Sequence, residues 1–280
     1  MRIPFTKMHG LGNDFMMLDL VTNEITLEPG QINQLANRRT GVGFDQLLQI
    51  RPPSEPGVDF DYRIFNANGT EVEHCGNGAR CFAQYVLEKG LTEKNSIAVK
   101  TVNRTLNLTR EADGQFTVDM DVPAFLPAAI PFFNDEQNSI YSRIIQINEE
   151  ESEIKFCALS MGNPHAVIIV ENLAATDVSG IGKALGKHPD FPEGVNVGFM
   201  QIIDREHVKL RVFERGAGET LACGTGACAA VAAGCLRGLL DDTVTADLLG
   251  GKLTICWKQN GSSVFMSGPA NTVYEGTIQI

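Results

Sequence analysis

"RIFNANGTEVEHCGNGA" (Arg63 to Ala79) and "RVFERGAGETLACGTGA" (Arg211 to Ala227) lie 148 residues apart and align without a gap. Seven of the 17 positions are identical: Arg, Phe, Glu, Cys, Gly, Gly and Ala. Further upstream, "GLGNDF" (Gly10 to Phe15) has a counterpart in "MGNPHA" (Met161 to Ala166), so that Asn13 precedes Cys75 by 62 residues and Asn163 precedes Cys223 by 60. "GVGFDQ" (Gly41 to Gln46) and "GVNVGF" (Gly194 to Phe199) correspond more loosely. Matches in the same order along the chain mark an internal duplication. The chain reads as two homologous halves.

Each half reads as strands leading into one long helix. In the first, "FMMLDL", "DQLLQI" and "DYRIF" are strand-like and precede a helix from about Gly76 to Glu88, ended by Gly90 in a position suited to a C-cap. In the second, "HAVIIV", "VGFMQII" and "HVKLRVF" play the same parts, and the helix after Cys223 runs to about Leu236 with Gly238 beyond. With Arg237 as its one charge, that helix should be buried nearly all round. The fold class expected is α/β (α+β): two pseudo-symmetric domains, each a mainly antiparallel sheet or open barrel wrapped around a central helix. The link between them falls near "DVPAFLPAAIPF" (Asp121 to Phe132), which holds three prolines. "INEEESE" (Ile147 to Glu153) reads as a solvated hairpin or loop, and "RPPSEPG" (Arg51 to Gly57) as a loop.

Composition narrows the function classes. At 280 residues with 43% apolar and 20% charged residues, the chain suits a soluble two-domain protein. A net charge of −11 leaves no basic stripe for a nucleic-acid or anionic-membrane partner. The N-terminus has no apolar segment of signal-peptide type, and the expectation is a cytoplasmic protein. Seven cysteines, with no C-x-x-C and no clustered histidine, fit neither a disulfide scaffold nor a zinc site, and no metal is expected.

Cys75 and Cys223 each precede Gly-X-Gly where a helix begins. Free backbone N–H groups and the positive end of the helix dipole favour an anion there. Such a place should lower a thiol pKa from its usual value of about 8.5, and should also hold a substrate carboxylate. Gly76, Gly78, Gly224 and Gly226 are expected to let the backbone approach a ligand. Two mirrored halves would aim two such cysteines at one carbon, which is what inversion of a stereocentre needs: one base removes a proton from one face and an acid returns one to the other. Cys157, Cys235 and Cys256 are expected to be core residues.

"MHGLGNDF", "FNANGTEVEHCGNGARC", "MGNPHAV", "GVNVGF" and "ERGAGETLACGTGACA" closely resemble the signature segments of the diaminopimelate epimerase family, from residue 8 to the C-terminal "GPANTVYEG". The resemblance implies cofactor-independent epimerisation of LL-diaminopimelate to the meso form, for lysine and peptidoglycan synthesis. It implies that the last strand returns to the first half, giving residues 1–122 with 269–280 as one domain and 123–268 as the other. It makes Cys75 and Cys223 the acid/base pair, gives the α-carboxylate to the backbone of Gly76, Asn77, Gly224 and Thr225, and puts Asn13, Gln46, Asn66, Asn163 and Asn196 around the substrate. Arg215 would clamp the distal carboxylate and Glu214 would meet an ammonium. His165 matches a histidine important for activity, and Tyr274 a tyrosine associated with dimerisation, so a homodimer is implied. Asn68 stands where an acidic residue is usual, and His74 where Gln is frequent.

The nearest alternative is a proline or hydroxyproline racemase on the same fold, also a two-thiol enzyme but with a smaller substrate carrying one carboxylate. Arg215 and the many asparagines favour the longer, doubly zwitterionic substrate. The related isomerase of phenazine biosynthesis lacks the paired cysteines. A thiol-redox or metal-binding protein is disfavoured by the absence of C-x-x-C.

Overall fold

The computed structural model describes residues 2–72, 75–148 and 150–280. Two compact units emerge, Met1–Asp119 with Ser267–Ile280, and Met120–Met266. His74 and one residue of the acidic stretch, Glu149, lie outside the described residues.

In the first unit, β1 (Arg2–Gly10) and β2 (Asn13–Asp19) form a hairpin closed by Leu11 and Gly12, both at positive φ. The helix α1 (Pro29–Ala36) then carries the chain over to β3 (Gln46–Arg51), which pairs parallel to β2. β4 (Phe60–Asn66) returns antiparallel and turns back through the short β5 (Glu71–Val72). The long helix α2 (Gly76–Glu88) is the second crossover, to β6 (Ser96–Lys100), parallel to β4. β7 (Thr105–Arg110) and β8 (Phe116–Asp119) complete an antiparallel meander. From the far end of the chain, β18 (Asn271–Gln279) pairs antiparallel along β1 from Arg2↔Gln279 to His9↔Asn271. α2 touches β18, β1, β2 and β3 as well as β7 and β8, so the sheet curls around it.

The second unit repeats this plan. β9 (Tyr141–Ile147) and β10 (Glu150–Ser160) form a hairpin, and β10 pairs antiparallel with β11 (Pro164–Ile169). Crossover α3 (Val178–Gly186) leads to β12 (Asn196–Ile202), parallel to β11, and β13 (His207–Glu214) returns antiparallel to the short β14 (Gly218–Thr220). Crossover α4 (Gly224–Leu236) leads to β15 (Thr243–Leu248), parallel to β13, followed by β16 (Gly251–Cys256). The boundary between units divides β17 (Phe265–Gly268). Each unit is thus mainly antiparallel, with one parallel pair under each helical crossover.

The duplication persists at the level of contacts. Arg63 and Glu71 form a bidentate pair across β4 and β5, and Arg211 and Glu219 repeat it across β13 and β14. These are two of the identities in the repeated stretch. α4 is buried from Gly224 to Cys235 apart from Thr225, as its lack of charge demands. Both long helices end as expected, with Gly90 at φ 65° and Gly238 at φ 68° just beyond their C-caps. A second layer of core lies under the shorter helices, with Ile32 and Leu35 of α1 against Met16 and Leu47, and Val178 and Leu185 of α3 against Phe199. "RPPSEPG" is a loop between β3 and β4, and the acidic stretch forms the β9–β10 turn and the start of β10. The proline-rich stretch is not all coil: Pro127–Ala129 is a 3-10 turn and Ala124 bridges Ser160.

Candidate active site

Each long helix has a cysteine at its N-cap. Cys75 sits at φ −142°, ψ 119° before α2, and Cys223 at φ −121°, ψ 110° before α4. The strand preceding each turns through Gly-containing loops and delivers the sulfur to the first helical turn, where backbone N–H groups lack intrahelical partners. Neither cysteine caps its own helix with its side chain.

Around Cys75, which is half-buried, the first unit assembles Asn13 from the start of β2 and Asn77 from α2. The Cys75 thiol points at Asn13 Oδ1 at 3.6 Å, and Asn77 Nδ2 donates to that same oxygen at 3.4 Å. Gln46 and Asn66 open β3 and close β4 as paired neighbours, Gln46 Nε2 donating to Asn66 Oδ1 at 3.0 Å. Gly76 and Asn77 are buried in the helix start.

Around Cys223, the second unit assembles Asn163, Thr225 and Glu214. Sγ lies 3.6 Å from Thr225 Oγ1, Asn163 Nδ2 donates to that hydroxyl at 3.4 Å, and His165 Nε2 lies 2.9 Å from Asn163 Oδ1. His165 is therefore linked to the thiol through Asn163 and Thr225. Strand register explains its place: His165 pairs with Asn196 as Phe15 pairs with Gln46, so the histidine fills a position that is apolar in the other half. It is 1% exposed, and burial together with the Arg215 charge lowers its pKa to about 3, which keeps the ring neutral. Asn196 is also buried and spends its side chain on the backbone, donating to Pro164 O at 3.1 Å and accepting from Arg215 N–H at 2.9 Å. Arg215 itself is exposed, with a guanidinium bond to Glu193 O at 2.7 Å.

Two expectations are corrected here. The helix start does not bring the Cys223 thiol down. Burial pushes it well above the ordinary thiol range, the Glu214 carboxylate adds to this, and the Thr225 hydroxyl and Gly226 amide only partly oppose them. In this state Cys223 carries a proton. Second, Gly78 and Gly226 answer to packing: a Cβ at Gly78 would fall 2.6 Å from the Tyr62 hydroxyl, and one at Gly226 would meet Val212 at 3.0 Å. Cys256 also differs from expectation in being half-buried, whereas Cys157 and Cys235 are buried with thiols raised to about 11.

Sequence reasoning missed several neighbours. Arg80, fully buried one turn into α2, donates to Asn77 Oδ1 at 2.9 Å and to Pro269 O at 3.3 Å. Its signal was a lone cation in an otherwise uncharged helix start. Asp14 and Asp45 flank Asn13, and Tyr62 donates to Cys75 O at 3.4 Å. Asn68 accepts from the Thr70 N–H and hydroxyl and is a turn residue, and His9 accepts from Gly12 N–H in the β1–β2 turn. Tyr274 is exposed on β18, edge-on to Phe5 at 5.9 Å. No group of three or more His, Cys, Asp or Glu among the described residues could hold a metal.

The profile of the diaminopimelate epimerase family matches residues 5–126 and 157–273, taking in both helix-start cysteines and their asparagines. The chain belongs to the diaminopimelate epimerase family. Solved structures with the same fold include a phenazine biosynthesis protein of the PhzF family from Bacillus anthracis, 18% identical over 100% of both chains with a TM-score of 0.69. A hydroxyproline epimerase from Agrobacterium vitis, solved with trans-4-hydroxy-L-proline, is 16% identical over 99% of this chain and 92% of its own, with a TM-score of 0.68. A methylitaconate-delta-isomerase is 13% identical over 99% and 95%, with a TM-score of 0.61. Membership of that family places the chain among the isomerases. No helix among the described residues is long and apolar enough to cross a membrane.

Proposed function

We propose that the chain epimerises LL-2,6-diaminopimelate to the meso form, with Cys75 and Cys223 exchanging protons with opposite faces of one α-carbon and no cofactor. The observation that carries this reading is that one local arrangement, a cysteine at the N-cap of a long helix with an asparagine from an earlier hairpin bonded to the second residue of that helix, Asn13 to Asn77 and Asn163 to Thr225, is built twice in one chain. A one-base site has no use for the second copy. Family membership supports the substrate.

The first-turn amides of Gly76, Asn77, Gly224 and Thr225 are the groups that would hold the α-carboxylate and stabilise charge spreading onto it as the α-proton leaves. Asn13, Gln46, Asn66, Asn163 and Asn196 supply neutral donors and acceptors. The halves differ where the substrate does: Asn66 in β4 occupies the place of Glu214 in β13, so one half carries the Glu214–Arg215 charges and the other does not. Arg215 would clamp the distal carboxylate. A substrate ammonium against Glu214 would offset the charge that helps hold the Cys223 thiol up, so binding itself would ease formation of the thiolate. Neutral His165 would act as a hydrogen-bonding partner within this unit and not as a proton donor of the imidazolium type. Exposed Tyr274 on β18 would lie in a homodimer interface. Turnover of LL-diaminopimelate compared with L-proline tests the assignment: we expect epimerisation of the former, and activity on proline alone would overturn it.

A further inference from the structure

Next to Asn13 lies a charge cluster that exists in one half only. Lys7, almost wholly buried, donates to Gly43 O and pairs with Asp14 Oδ2 at 2.7 Å. Arg38 grips Asp14 with both guanidinium nitrogens at 2.7 and 2.8 Å and reaches Asp45 Oδ1 at 2.8 Å. Burial alone would raise the Asp14 pKa, but Arg38 and Lys7 outweigh it and hold the carboxyl well below its usual range. The remaining Asp45 oxygen, Oδ2, accepts from Asp14 N–H at 3.1 Å and from Asn13 Nδ2 at 3.0 Å. In the second half Pro164 and Val195 occupy the places of Asp14 and Asp45, so Asn163 has no such anchor.

A carboxylate only accepts, and an amide has one donating end and one accepting end. With its NH2 drawn to Asp45, Asn13 must present Oδ1 to the other side, where it meets the Cys75 sulfur and Asn77 Nδ2. An oxygen with no proton to give bonds to S–H and repels a thiolate. We infer that the Lys7, Asp14, Arg38 and Asp45 cluster is a positioning device that locks the Asn13 amide with its carbonyl toward Cys75 and so favours the proton-bearing thiol there. Among the described residues of its unit, Tyr62, Cys81 and Arg80 are further titratable or charged groups near Cys75. Tyr62 and Cys81 are buried with pKa values driven up and stay neutral, and the Arg80 guanidinium, bonded to Gly76 O next to Cys75, is a cation that favours a thiolate. The Asn13 carbonyl that the cluster fixes acts against that cation. Asp45 is a positioning residue: it acts on the sulfur through Asn13. The catalytic meaning of this rests on the function proposed above, whereas the test reads the free protein and can fail without that function failing.

The test is the pH dependence of Cys75 alkylation by iodoacetamide, followed by peptide mapping in the full-length protein. Asp45→Asn keeps an acceptor for Asn13 but removes the charge; Asp45→Ala removes both and frees the amide to turn its NH2 to the sulfur. We expect the midpoint in D45N to match the parent protein. In D45A it should fall by about one pH unit, making alkylation below the midpoint about tenfold faster. Asn13→Ala, which deletes the acceptor itself, should lower the midpoint as well and decides the matter if D45A does not fold. Equal shifts in D45N and D45A would mean that charge acts directly and would overturn the inference, as would an unchanged midpoint in D45A or in N13A.

Discussion

Cys223 and His165 show how far a residue's chemistry departs from its type once it is buried. Burial foremost, and Glu214 next, hold the Cys223 thiol up. Glu214→Gln should therefore bring its alkylation midpoint down while burial keeps it above the ordinary range; an unchanged midpoint would remove Glu214 as a cause. Replacing either cysteine by alanine should lower epimerisation at least 10²–10⁴-fold, the usual weight of a positioned acid or base, with an unaltered circular dichroism spectrum. His165 has a folded-state pKa of about 3 against an ordinary 6.5, so its neutral form belongs to the fold. That stability is fully present above about pH 6.5 and is lost as pH falls toward about 3, at up to about 1.4 kcal/mol per pH unit. His165→Phe, copying Phe15 at the same register of the other half, should fold and lose this part of the acid sensitivity. Urea unfolding at pH 7 and pH 4.5 checks it; parallel losses in both proteins would contradict it. None of this was legible in the sequence. The cysteines announced themselves by repetition, but a thiol's pKa depends on what closes over it, and Glu214 reaches Cys223 from the end of β13.

At the level of elements the sequence was more generous. Both long helices span the stretches expected of them, because glycines at their starts and at Gly90 and Gly238 punctuate the chain locally. The strands were readable from apolar runs, and the repeat located their counterparts. What failed was the reading of Gly78 and Gly226 as openings for a ligand: the contact that fills the space at Gly78 comes from Tyr62, 16 residues away on β4. Gly78→Ala should cost about 1–3 kcal/mol through the clash with that hydroxyl. Tyr62→Phe removes the intruding oxygen at the loss of its bond to Cys75 O, worth about 0.5–1.5 kcal/mol. The double variant should be more stable than the sum of the two single losses; simple additivity, read from chemical denaturation, would show that the hydroxyl does not set the requirement. The Asn13, Asp45 and Arg38 network lies in the same blind spot, joined across 32 residues in sequence by the parallel pairing of β2 with β3.

For the molecule as a whole, the duplicated plan explains why the same parts recur, and the departures from it are where the proposed function would distinguish the halves. The Arg63–Glu71 and Arg211–Glu219 pairs are shared scaffold. The charge cluster at Asn13, the buried His165 and the Glu214–Arg215 pair each occur once. β18 ties the end of the chain to β1 along nearly its full length. A chain ending at Pro269 should lose several kcal/mol, and at roughly 2–4 °C per kcal/mol its melting point should fall by about 10 °C or more; an unchanged melt would contradict the structural weight given to this strand. The proposed chemistry is tested most directly by incubating LL-diaminopimelate with the protein in deuterated water and following both isomers at low conversion. Two thiols on opposite faces predict one solvent deuteron at the inverted carbon of the meso product, while recovered LL substrate stays unlabelled. Deuterium appearing equally in both isomers from the outset, or product that keeps its original hydrogen, would contradict it.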